Sequence, residues 1–238
     1  MRKLHLLFTK DGLQWQISKE KKILEEEFHF PEEDSFLNFV EDRLETVLNE
    51  KKFEEIEIFS AINHFALMPE NFKNHDLGYD LVSYNSNTNP ETEELMLSIN
   101  KKFGVQFYYT FPKYFYQRIK SMELPTRFNF SGEKFLNSIS VRKNKEIHIN
   151  LYHHQVEFLA FEGKKLLLYN NLDANSEVDF LYFIMFTLSK INFGTEETYF
   201  YVYGETAEND TFLSELRKFV KHLNIVTENK ANNHLIMN

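Results

Sequence analysis

The order of apolar and polar positions defines the first elements. His5, Leu7 and Thr9 alternate with Leu6, Phe8 and Lys10; Lys10-Asp11-Gly12 then supplies a turn, and Leu13 to Ile17 alternates strictly. An Asp-Gly between two alternating runs marks a β-hairpin. A third strand is expected over Ile23 to Phe30. Asp34 or Ser35 offers an N-cap, and Leu37, Val40, Leu44 and Val47 recur at helical spacing with Glu41, Asp42 and Glu45 on the other face. Ile56 and Ile58 alternating with Glu55 and Glu57 then predict a strand with one buried and one wetter face.

The second half repeats this order. Ile147, Ile149 and Leu151 alternate with His148, Asn150 and Tyr152; a turn at His153-His154 follows, then strands at Val156 to Phe161 and Leu166 to Tyr169. Ser176 with Asp179 resembles a capping box and opens a helix running through Lys190. Tyr199 and Tyr201 begin the next strand. An offset of 143 relates the Lys-Lys pairs at 21 and 164, Leu37 and Phe180, and Ile56 and Tyr199, which predicts an internal duplication. Between the repeats, Leu95 to Ile99 and Val105 to Tyr109 read as an extra hairpin, and Pro112 opens a helix carrying Phe115, Ile119 and Met122. A last helix starts at Asp210 or Thr211, with Leu213, Leu216, Val220 and Leu223 inward.

Composition narrows the chemistry. The chain has 238 residues, no cysteine and a formal charge of −9. That excludes disulfides, cysteine nucleophiles and zinc ribbons, and argues against non-specific nucleic-acid binding. Seven glycines is under half the usual share of about 7%, which weakens the case for phosphate-cradling loops. The longest near-apolar run, Phe180 to Leu188, is too short to span a membrane, and no secretory leader is read at Met1 to Phe8, so a cytoplasmic protein is expected.

Three antiparallel strands, a helix and a strand, occurring twice, form the plan of the ribonuclease H-like unit; doubled, it is the actin-like ATPase fold. With Phe65-Ala66-Leu67-Met68-Pro69-Glu70, Val178-Asp179-Phe180-Leu181-Tyr182-Phe183 and Tyr201-Val202-Tyr203-Gly204-Glu205, the chain resembles an uncharacterised bacterial domain-of-unknown-function family of small proteins with that duplicated fold. The resemblance implies a mixed-sheet α/β protein of two similar lobes, 1–142 with the extra hairpin and helix, and 143–238. Superfamily members that hydrolyse ATP place Asp-x-Gly turns after the first strand of each half to hold phosphate and magnesium. Here the first turn has Gly12 but puts Lys10 where the carboxylate belongs, with Asp11 one place off. The second, Tyr152-His153-His154-Gln155, has neither residue, and only Gly204 stands for the paired glycines of the adenosine loop. Lys10, Asp11, Gly12 and Gly204 are thus candidate vestigial nucleotide contacts. No cofactor is expected; an ATP-magnesium switch or weak ATPase is the alternative.

Other candidates are weaker. His153 and His154 would point to opposite faces of a strand, and no HExxH occurs, so no metal site is expected. Glu25, Glu26 and Glu27 read as a solvated edge strand. Tyr108, Tyr109, Phe111, Lys113, Tyr114 and Arg118 interleave aromatics with cations; such a tract serves a core, a protein interface or, least in keeping with the charge, nucleic acid. The reading that results is a non-catalytic interaction or scaffold protein whose partner is another protein.

Overall fold

The computed structural model describes residues 1–10, 12–20, 22–29, 36–152, 155–204 and 210–226, which fall into two compact units, 1–137 and 138–226. The break comes at the end of the last helix of the first unit, five residues before the boundary expected from the sequence.

The first unit opens with β1 (Arg2–Phe8), β2 (Leu13–Lys19), β3 (Lys22–His29), α1 (Phe36–Glu50) and β4 (Glu55–Ser60). An insertion follows, comprising β5 (Phe65–Pro69), a 3-10 turn (His75–Leu77), α2 (Gly78–Ser83), β6 (Glu93–Asn100), β7 (Val105–Pro112) and α3 (Lys113–Lys120). The unit closes with β8 (Thr126–Phe130) and α4 (Ser131–Ser138). The second unit has β9 (Lys145–Tyr152), β10 (Gln155–Glu162), β11 (Lys165–Asp173), α5 (Glu177–Ile191), β12 (Tyr199–Gly204), α6 (Asp210–Arg217) and β13 (His222–Ile225). The N-cap expected at Asp34 or Ser35 and the turn at His153-His154 lie outside the described residues.

Two five-stranded sheets share one topology. Their orders are β3-β2-β1-β4-β8 and β11-β10-β9-β12-β13. In both, the first strand is antiparallel to the second and parallel to the fourth. The likeness extends to register. Leu4 pairs with Ile17 and, 143 residues on, Ile147 pairs with Ala160; Gln16 pairs with Glu26 and Leu159 with Tyr169. Even the β-bulge recurs, between Ile17 and Ser18 and between Ala160 and Phe161. A bulge adds twist at one fixed position, so its recurrence means the two meanders are built to one plan.

The constant offset does not extend beyond the meander. Leu4 lies beside Ile56 but Ile147 lies beside Phe200, so the counterpart of Ile56 is Phe200, not Tyr199. In the helices the buried series Val40, Leu44 and Leu48 matches Phe180, Ile184 and Leu188, an offset of 140 in place of the 143 that joined Leu37 to Phe180. Loops absorb the difference, being three residues shorter before α5 and four longer after it than around α1.

Each helix covers the apolar face of its own sheet. In the first unit Leu4, Leu6, Phe8, Leu13, Trp15 and Ile17 pack against Val40, Leu44, Val47 and Leu48, with Phe111, Phe115 and Ile119 completing the cluster. In the second, Ile147, Ile149, Leu151, Val156, Phe158 and Ala160 meet Phe180, Ile184 and Leu188, backed by Phe212, Leu213 and Leu216. The insertion is larger than the hairpin and helix expected: β5 joins it, giving an antiparallel sheet of order β5-β7-β6. Phe65–Pro69 is too short and too interrupted by proline to show alternation, but its pairing with β7 makes it an edge strand.

Phe180 is 1% exposed and stacks on Phe212 with centroids 5.1 Å apart, so it ties α5 and α6 to the second core. Phe180→Ala is expected to cost about 3–5 kcal/mol, read as a lower urea midpoint for the intact chain.

Candidate functional site

The two hairpin turns are the natural place to look for phosphate contacts. In the first, the Thr9 backbone N–H and hydroxyl both donate to the Gly12 carbonyl, at 3.0 and 3.3 Å. The turn therefore closes on itself and its first amide is engaged. Lys10 is half-buried and Gly12 buried, while Asp11 lies outside the described residues. In the second, Tyr152 and Gln155 pair across the hairpin end. Gly204 ends β12 opposite Leu151 with φ +82°, and a Cβ there would lie 2.2 Å from the Leu151 carbonyl oxygen. Its glycine is demanded by the approach of β12 to β9. Lys10 and Gly12 belong to the first unit and Gly204 to the second.

More chemistry sits on the face of the second sheet opposite its apolar core. Alternate β9 residues Glu146, His148, Asn150 and Tyr152 point to that face, and all four are buried. His148 joins two groups: Nε2 lies 2.9 Å from Glu146 Oε2 and Nδ1 lies 3.1 Å from the Tyr203 hydroxyl. A carboxylate accepts, so Nε2 carries the proton and Nδ1 takes the tyrosine proton. The ring stacks on Tyr201 at 5.0 Å and meets the edge of Phe161 at 5.6 Å. Burial pushes the His148 pKa down, against the pull of Glu146. For Glu146 burial acts upward, but His148 and the backbone N–H groups of Arg142 and Lys143 prevail and its pKa is lowered.

A second carboxylate lies deeper along the same face. Glu157 is fully buried and accepts from Asn150 Nδ2 at 2.9 Å, the Tyr152 hydroxyl at 3.0 Å and the Tyr169 hydroxyl at 3.1 Å. Beside it Gln155 Nε2 donates to Asn171 Oδ1 at 2.8 Å. Sequence reasoning missed this group. The alternation that made β9 and β10 strands also marked Glu157 and Asn150 as polar, but nothing in it showed that the polar face is buried.

The first unit carries a counterpart with the charges exchanged. At the positions 143 residues before Glu146 and His148 stand Lys3 and His5. Lys3 Nζ lies 2.8 Å from Glu57 and 3.3 Å from Glu55. Burial lowers the Lys3 pKa, but these two carboxylates outweigh it and the net shift is upward. His5 Nε2 bonds Ser18 Oγ at 3.0 Å, its ring lies parallel to Phe59, and Lys134 of α4 stands over that phenyl ring. Burial drives the His5 pKa down to about 4, only partly opposed by Glu57.

The aromatic–basic tract divides. Tyr108, Tyr109 and Phe111 are buried in β7, the central strand of its sheet, and so offer no surface. Lys113 Nζ donates to the Pro90 carbonyl at 3.0 Å, the Tyr114 hydroxyl donates to Glu41 at 2.5 Å, and Arg118 grips Glu45 with Nη2 at 2.7 Å from Oε2. The last two bonds fasten α3 to α1, and the first ties its start to the loop before β6. Of the six, Tyr108, Tyr109 and Phe111 serve the core, Tyr114 is half exposed, and Lys113 and Arg118 already have acceptors. Among the described residues, no group of three or more His, Asp or Glu is placed to hold a metal ion.

The family model for a protein of unknown function, DUF3822, matches residues 1–223. The chain belongs to the DUF3822 family. No curated protein matches. Among solved structures, the chain is similar to a Bacteroides thetaiotaomicron VPI-5482 protein with actin-like ATPase fold and unknown function. The TM-score is 0.81 at 18% identity, over 99% of this chain and 95% of that one. It also resembles the PilM–PilN type IV pilus biogenesis complex, with TM-score 0.58 and 11% identity over 94% and 88% of the two chains. The cytoplasmic domain of EpsL, an inner membrane component of the Vibrio cholerae type II secretion system, follows at 0.55 and 7% identity over 99% and 93%. The actin-like ATPase fold, in two sheet-rich lobes, is the architecture of this family member.

The depressed histidine makes a pH test available. Between about 4 and 6.5 the unfolded chain binds a proton that folded His5 refuses, so its contribution is full above pH 6.5 and is lost as pH falls through that window. Replacing it by His5→Phe, which keeps a ring against Phe59, should remove about 3 kcal/mol of the acid destabilisation between pH 7 and 4. Urea titrations of both proteins across that range measure the difference.

Proposed function

We propose that the protein is a non-catalytic interaction protein that keeps the actin-like frame without a working triphosphate site, and that its partner is another protein. The observation that carries this reading is Glu157. It stands near the end of the second hairpin, where a phosphate site needs free donors and positive charge. Instead it places a buried carboxylate there and engages Asn150, Tyr152 and Tyr169 as its own donors. A phosphate would meet like charge, and Asn150, Tyr152 and Tyr169 would have to be withdrawn from Glu157 to bind it. This arrangement disfavours a phosphate at that hairpin end, and no catalytic step is assigned to these groups. The closed Thr9–Gly12 turn supports the same conclusion in the first unit.

The fold's other members add support of a different kind. Two of the similar structures are named for assemblies, the PilM–PilN complex and the EpsL component of a secretion system. A frame used for assembly in those proteins suits a protein partner here. A cytoplasmic location agrees with the finding that no helix among the described residues is long and apolar enough to cross a membrane. Binding of nucleic acid through Lys113 and Arg118 is disfavoured by their existing acceptors.

Thermal unfolding with and without 5 mM Mg-ATP tests the reading. An unchanged midpoint and no release of phosphate are expected. A ligand present at 100 times its dissociation constant would add about 2.7 kcal/mol, and a rise of that size would overturn the proposal in favour of a nucleotide switch.

A further inference from the structure

The outer face of α5 does not look like the surface of a helix that meets only water. Val178 is 76% exposed, Tyr182 60% and Phe186 47%, and they recur every four residues along one side. Tyr182 stacks on Phe186 with centroids 5.8 Å apart. The first unit supplies an internal control. At the matching positions of α1, 140 residues earlier, stand Asn38, Asp42 and Thr46, all exposed. Each helix buries its other side against the same kind of sheet, so the fold does not require an apolar outer face. The second copy has one for another reason.

We propose that α5 is a self-association surface through which two copies of this chain pair antiparallel, independently of the nucleotide argument. The charge at the two ends of the stripe selects this occupant. Asp179, exposed in the first turn, lies at the acidic N-terminal end, and Lys190, exposed in the last turn, lies at the other. A two-fold axis between Tyr182 and Phe186 sets Tyr182 against the partner's Phe186. It also brings Asp179 beside the partner's Lys190. Both charge pairs and both helix macrodipoles are then complementary, whereas parallel helices would set acid against acid. An anionic lipid surface is a poorer fit, because Asp179 and a chain charge of −9 oppose it. One helix face covers less than the roughly 800 Å² per partner of a standard interface, so the dimer is a weak one.

Sedimentation velocity of the full chain from about 5 to 500 μM should show a shift from monomer to dimer. The triple variant Val178→Asn, Tyr182→Asp, Phe186→Thr gives α5 the outer face of α1; it should stay monomeric throughout while keeping the wild-type thermal midpoint. Lys190→Glu, which faces the partner's Asp179 in both pairs, should weaken the dimer about fivefold to tenfold. A wild-type chain that remains monomeric at the highest concentration overturns the proposal, whether or not it binds anionic vesicles. So does a dimer that the triple variant leaves intact.

Discussion

A sheet buried on both faces must satisfy the carboxylates it carries, and that constraint governs the second unit. Its apolar face is settled by α5 and α6. Its other face holds Glu146, His148, Asn150 and Glu157, none more than 2% exposed. An isolated carboxylate in such a place would cost several kcal/mol or take up a proton. Each is instead surrounded by donors: a histidine and two backbone N–H groups for Glu146, an amide and two phenols for Glu157. Networks of this type fix side chains in one arrangement because breaking any member strands the rest. They hold β9 and β10 in register.

Much of the frame was legible because its signal is local. The period-two alternation of Leu4 to Phe8, Leu13 to Ile17 and Ile147 to Leu151 needs no knowledge of distant residues, and the strands form where that alternation runs. The offset of 143 was legible for the same reason, since the hairpin and bulge fix spacing within one meander. It broke at α5 and β12, where loop length is free to drift while packing holds Phe180 and Phe200 in place of Val40 and Ile56. Thr126–Phe130 and Phe65–Pro69 escaped notice because five residues give too little alternation to count, and only long-range pairing makes them strands.

The candidate site was far less legible. Glu157 and Asn150 look from the sequence like the wet side of a half-exposed strand, and burial of that side depends on tertiary packing that no periodicity encodes. The tract from Tyr108 to Arg118 left core and interface readings open. Aromatics beside cations have the composition of an interface, yet β7 is central in its sheet and α3 is fastened to α1 by Tyr114–Glu41 and Arg118–Glu45. Composition records which groups are near in sequence; whether they face water or one another is decided by strand order.

The two units share a plan and differ where each is free to differ. At one strand position Lys3 answers to Glu146, and the histidine two residues later is kept in both. Conserving the ring while reversing its charged neighbour requires a second change: Glu57 beside His5 becomes Tyr201 beside His148, since β12 no longer needs to neutralise a lysine. The histidine thus sits between opposite charges in one unit and between a carboxylate and aromatic rings in the other, buried in both. A position that tolerates inversion of its electrostatics and a change of hydrogen-bond partners yet retains imidazole is held by packing. The pKa of each histidine is depressed by the burial that such packing entails.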